Sequence, residues 1–135
     1  MTFAGEKPDI QTLPEFQLAA STRRLIEETA AGMTWTEQWE WLQVGILREA
    51  GRLTQTLEEG YQSELVAEWI LGIGSCRNAV VMSDYIFTFL KGQSMLEAGK
   101  ADPILNSLKQ LMTAIIALSN DLRQELASRR SRASN

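Results

Sequence analysis

The chain contains no histidine. Ser-His-Asp and Cys-His catalysis, His-ligated zinc and imidazole general bases all need that side chain, so the commonest enzyme sites are excluded at the outset. Cysteine is almost as scarce: Cys76 is the only one, which rules out a disulfide framework within the chain and suits a reducing compartment. Inside an apolar stretch it reads as a small buried hydrophobe. There is no G-x-x-x-x-G-K-[ST] loop and no G-x-G-x-x-G turn, and Gly72 with Gly74 spells G-x-G only by accident within a helical segment. No segment repeats at a fixed period, and none is of low complexity.

An excess of positive charge is also lacking. The net charge is -4, with residues 1–100 summing to -6 and residues 101–135 to +2, which disfavours broad nucleic-acid binding. Arg129, Arg130 and Arg132 form the exception, and without aromatic neighbours they read as a solvated, mobile basic tail over 129–135. Residues 1–13 read as a flexible leader without the apolar run of a signal peptide, so a cytoplasmic location is expected. Trp69 to Leu90 is long enough to cross a bilayer, but Arg77, Asn78 and Asp84 interrupt it, and charges there would be costly in lipid. A membrane partner is therefore not expected.

What the chain has in abundance is helical periodicity. In the 135 residues a single domain over 14–128 is expected, long enough to bury a core. Pro14 suits a first helical position, and Phe16, Leu18, Ala19, Leu25, Ile26 and Ala30 follow before Gly32. Thr34 and Glu37 spell a capping box, which predicts a second helix from about Trp35 to Glu59, closed by Gly60. Its stripe is Trp35, Trp39, Leu42, Ile46, Leu53 and Leu57. The third helix begins near Ser63 and ends at Lys91 and Gly92, where glycine would supply a left-handed cap. A connector with one short turn around Met95 to Ala98 leads to Asp102 and Pro103, a strong helix start. From there Ile104, Leu108, Leu111, Ile115, Leu118, Leu122 and Leu126 trace a bundle or coiled-coil seam.

The segment Glu64–Leu90 is apolar on more than one face, so it should lie at the centre of an assembly. Projected at 100° per residue, Glu64, Glu68, Ser75 and Asn78 fall on one strip, while Arg77, Asp84 and Thr88 fall nearly opposite. Either the helix bends between Gly72 and Cys76, or its second half is covered by another chain. Glycines inside helices, at 45, 51, 72 and 74, each cost roughly 1 kcal/mol relative to alanine. Close packing of the second helix on the third would offset that loss. Trp35 and Trp39 read as core, whereas Trp41 points toward Val44 and Arg48 and would be exposed, which suggests contact with another chain.

Without histidine, the remaining chemistry is that of carboxylates. Glu49 falls on the apolar stripe of the second helix, and Glu68, one turn after Glu64, lies where neighbouring positions are mostly apolar. A carboxylate so placed must be paired, metal-bound or protonated. Salt bridges from Arg48, Arg52 or Arg77 satisfy that need, and so would a magnesium site shared by two helices. The segment Leu47-Arg48-Glu49-Ala50-Gly51-Arg52-Leu53 resembles a degenerate copy of the L-x-E-E-x-G-E-L motif of the all-α nucleotide pyrophosphohydrolases of MazG type. Glu68-Trp69-Ile70-Leu71 stands where that family carries E-x-x-D, keeping the Glu without the Asp. The resemblance implies a magnesium-dependent enzyme using Glu49, Glu64 and Glu68, with Arg48 or Arg52 on phosphate. Arg48 and Arg52 replace two motif glutamates, so the family's metal cluster could not form in the usual way.

The sequence thus predicts an all-α, antiparallel bundle of four principal helices, dimeric through the third and fourth. The expected role is a small cytoplasmic interaction or regulatory protein with a protein partner and no cofactor, the alternative being the magnesium enzyme. Trp41, Tyr85, Phe87 and Phe89 are the expected association residues, with Arg77 and Asp84 setting the register as a charge pair.

Overall fold

A computed structural model describes residues 7–134. Four helices account for nearly all of them: α1 (Pro14–Gly32), α2 (Glu40–Gln62), α3 (Val66–Gly92) and α4 (Ala98–Ser134), with no strand among the described residues. Each helix packs on the next in the chain, and α1 closes the ring against α4. Leu53 meets Cys76 while Gly60 meets Gly72, so α2 and α3 run antiparallel. Lys91 meets Asp102 while Ile73 and Ile115 line one cavity, so α3 and α4 do too. None of the described helices is long and apolar enough to cross a membrane.

The expected stripes form the core: Ile26 of α1, Ile46, Leu53 and Leu57 of α2, Cys76, Phe87 and Leu90 of α3, and Ile104, Leu108, Leu111 and Ile115 of α4 are all buried. Each large apolar side chain so buried contributes about 1.5–3 kcal/mol. The α4 seam fades toward its end, where Leu118, Leu122 and Leu126 are only half-buried. Pro14 opens α1 as expected.

Several boundaries differ from expectation, each for a packing reason. The Thr34–Glu37 capping box does not open α2, which starts at Glu40 after a 3-10 turn over Glu37–Trp39. The intervening residues instead fold Trp35 back, so that its indole N–H donates to the Ala30 carbonyl at 3.0 Å and occupies an acceptor at the end of α1. Gly92 remains helical, and Ser94 takes the left-handed conformation with φ 56°. Its N–H reaches the Lys91 carbonyl at 3.1 Å and that of Met95 reaches Leu90 at 2.9 Å, a Schellman closure built on serine. Asp102 does not open α4, which begins at Ala98 and has Pro103 inside it, and the Asp102 carboxylate accepts from Lys91 Nζ at 2.6 Å.

Residues 7–13 and 129–134 have defined structure within the stretches expected to be a leader and a tail. Lys7 donates to the carbonyls of Tyr61 and Ser63, and the Tyr61 hydroxyl donates to the Pro8 carbonyl at 2.6 Å. Ile10 and Leu13 then pack on the core, so residues 7–13 are a strap across the end of α2 and not a loose leader. The part of the leader over 1–6 lies outside the described residues. The basic end continues α4 to Ser134, with Arg129 Nε donating to Glu125 at 2.8 Å one turn back. Asn135 lies outside the described residues.

Gly60, expected to stop α2, lies inside it and packs directly on Gly72 of α3. A Cβ placed on Gly72 would stand 2.6 Å from the Thr56 carbonyl oxygen and 3.0 Å from the Gly60 Cα. Two helix backbones therefore touch there, which only glycine at both positions permits. At Gly45 and Gly74, by contrast, an added Cβ would meet nothing within 4 Å. The close packing expected of four helical glycines is made by Gly72 with Gly60.

Candidate functional site

The carboxylates of the enzymatic alternative do not come together. Glu49 is buried at 5 % exposure on the inner face of α2, as its spacing implies. Its Oε1 is 3.7 Å from Arg48 Nε and 3.6 Å from Arg52 Nη1, while its buried Oε2 has no hydrogen-bond partner among the described residues. Both guanidiniums are thus engaged by this acid. Glu64 lies exposed in the α2–α3 turn, and Glu68 is exposed on α3. Glu68 lines a shallow cavity of about 210 Å³ with Thr56, Glu59, Gly60, Gly72 and Ser75. Gly60 packs on the Glu68 carbonyl and follows Glu49 by three turns, so about 16 Å of α2 separates Glu49 from the level of Glu68. Among the described residues no three acids or thiols are grouped as metal ligands would be.

Cys76 is fully buried, and its thiol donates to the Leu53 carbonyl at 3.3 Å. Burial pushes the thiol up to about 12, against a smaller opposing effect of the Thr56 hydroxyl. It packs as an apolar group and is no nucleophile at neutral pH.

The feature left over is apolar and faces water. In the four-membered ring α3 lies between α2 and α4, and its outward side carries Leu71, Val81, Met82, Tyr85 and Phe89, all exposed. Tyr85 is 75 % exposed. Next to the end of this stripe, α2 presents Trp41 at 65 % exposure together with Val44. The Trp39 ring joins the two helices, 6.1 Å from Trp41 and 6.2 Å from Phe89 between centroids. Trp39 itself is half-buried against the core, so the exposed rings stand on a packed base.

Of the expected association residues, Trp41, Tyr85 and Phe89 share this surface. Phe87 does not: it is 1 % exposed and belongs to the core. Two residues along a helix turn the side chain by about 200°, so 85, 87 and 89 could not all face one way. Leu71 and Met82 extend the outward stripe beyond the expected residues, and the steps of three and four between Met82, Tyr85 and Phe89 are the sequence signal that marks it. Arg77 is exposed and Asp84 half-buried, both on the flank of α3 that faces α4. Arg77 lines a cavity of about 220 Å³ with Ile116, Asn120 and Arg123, and Asp84 lines another with Lys109 and Met112. Neither is in an ion pair among the described residues.

The apolar excess of Glu64–Leu90 thus has a definite location. The segment is not the enclosed centre of the monomer, and α3 is one uninterrupted helix whose second apolar face is turned outward. No known protein family, curated protein or solved structure matches the chain.

Proposed function

We propose that the chain is a small helical interaction protein of a reducing, cytoplasmic compartment, acting through the outward faces of α2 and α3 and carrying no catalytic centre. The observation that carries this reading is the exposed apolar group Val81, Met82, Tyr85 and Phe89 on α3, joined through Trp39 to Trp41 and Val44 on α2, with Leu71 further along the same side of α3. Contiguous apolar surface of this kind is rare on a chain that works alone and marks contact with another macromolecule. Tyr and Trp supply large contact area at low rotamer cost, which suits an association hot spot. Glu49, held between Arg48 and Arg52, then has a structural role, and nothing in the role requires a metal.

Binding of an anilinonaphthalene dye at about 0.1 µM chain, where copies are apart, tests the surface directly. The native chain should enhance the dye, and the double variant Trp41→Ser, Tyr85→Ser should lower that signal about threefold or more at unchanged helicity. A native chain that leaves the dye dark, or a variant that binds it equally well, would remove the reading.

A further inference from the structure

We infer that the occupant of the outward α3 face is a second copy of this chain, with the two α3 helices packed antiparallel about a dyad at the level of Val80. The inference rests on the reading of that face as an interaction surface and names its partner. Leu71, Gly74, Asn78, Met82, Tyr85 and Phe89 project within about 80° of arc, the width of a helix–helix seam.

The seam is self-complementary. Leu71 with Phe89, Ser75 with Tyr85, and Asn78 with Met82 are each centred on Val80 in the sequence, so one two-fold axis brings all three pairs to the same height at once. The bulky Tyr85 of one copy then lies over Gly74 of the other, the smallest residue of the stripe. This gives Gly74 a purpose that the single chain does not supply, since a side chain there would meet open space. Helical glycine is unfavourable relative to alanine, and a recess for a partner's ring offsets that.

Charge points to the same axis. Arg77 and Asp84 share a flank, two turns apart, and both lack an ion-pair partner among the described residues. In a two-fold antiparallel pair the same flanks face each other, so Arg77 of each copy meets Asp84 of the other, and the pair is centred within half a residue of the apolar contacts. Arg123, which shares a cavity with Arg77, adds positive charge on the side where that carboxylate arrives. Trp41, beside Phe89, extends the contact toward Leu71 of the second copy.

Sedimentation velocity of the full chain from about 1 to 100 µM reads the association. A dimer is expected, with R77D and D84R each weakening it about tenfold or more and an equimolar mixture of the two restoring it. Only a reciprocal pairing predicts that rescue, because each variant alone opposes like charges at both ends and the mixture opposes unlike ones. Gly74→Leu should also dissociate the dimer while leaving helicity and the melting transition of the monomer intact. A native chain monomeric throughout overturns the second-copy inference, and so does a dimer indifferent to both charge reversals or a mixture without rescue. The dye measurement separates the two levels: a monomer that lights the dye through Tyr85 keeps an interaction surface with a different occupant, and a dark monomer loses both.

Discussion

Gly72 and Gly74 lie two residues apart on one helix and stand in opposite circumstances. At Gly72 a methyl group would strike the Thr56 carbonyl oxygen at 2.6 Å, whereas at Gly74 it would touch nothing within 4 Å. The same contrast separates Phe87, 1 % exposed, from Tyr85, 75 % exposed. One side of α3 is closed against α2 at backbone contact, and the other carries Leu71, Met82, Tyr85 and Phe89 among polar and small residues and is uncovered. A large apolar side chain on α3 therefore does not by itself tell the side that holds the monomer together from the side available to a partner. What distinguishes them is whether a neighbouring helix already fills the space.

The contrast can be tested by matched substitutions on the two sides. The largest difference is expected for the aromatic pair, measured at about 0.1 µM chain where copies are apart: Phe87→Ala should destabilise the chain by about 4 kcal/mol in urea unfolding, and Tyr85→Ala by less than about 0.5 kcal/mol. Comparable losses at both positions would erase the distinction between the inner and outer sides. The glycine pair comes next and should differ in sign. Gly72→Ala forces two backbones apart and is expected to cost about 3 kcal/mol, lowering the melting temperature by roughly 10 °C, while Gly74→Ala should raise the stability of the separated single chain by about 0.5–1 kcal/mol.

The smallest effect concerns pH. Cys76 lies on the closed side with a thiol raised from 9.0 to about 12, so above pH 9 the unfolded chain loses a proton that the folded chain retains. Its contribution to stability is full below pH 9 and is lost as pH rises from 9 toward 12. By pH 10 this amounts to about a tenfold rise in the unfolding constant, on the order of 1 kcal/mol. Cys76→Ala should flatten that alkaline slope, and an unchanged slope would show the thiol to be accessible.

Much of the architecture is readable in the chain because helices are local. The seven-residue seam of α4 and the proline at the start of α1 both appear where expected, since hydrophobic period and terminal chemistry act over a few residues. Boundaries depart from expectation where packing overrules local chemistry. The Thr34–Glu37 box is outcompeted by the demands of Trp35, and Asp102 is drawn from a capping role by Lys91. Gly60 shows the limit most plainly: as a stop signal and as a contact point it is the same letter, and only Gly72 on the facing helix tells which. For the candidate site, exposure of Trp41 is legible because α2 has a clear apolar stripe to point away from. Phe87 is misplaced by sequence reasoning because α3 has none.

The sequence alone determined the class of the protein: four amphipathic or apolar helical segments, no imidazole, no disulfide and no phosphate-binding loop. Those conclusions follow from residue types and from spacings within single helices. Only the tertiary structure decided which face of α3 is covered, which glycines are in contact, and that Glu49 stands apart from Glu68. The physical reason is phase. A helix apolar all round carries no internal mark of which side is inward, so its orientation is set by the neighbours that surround it and not by its own pattern.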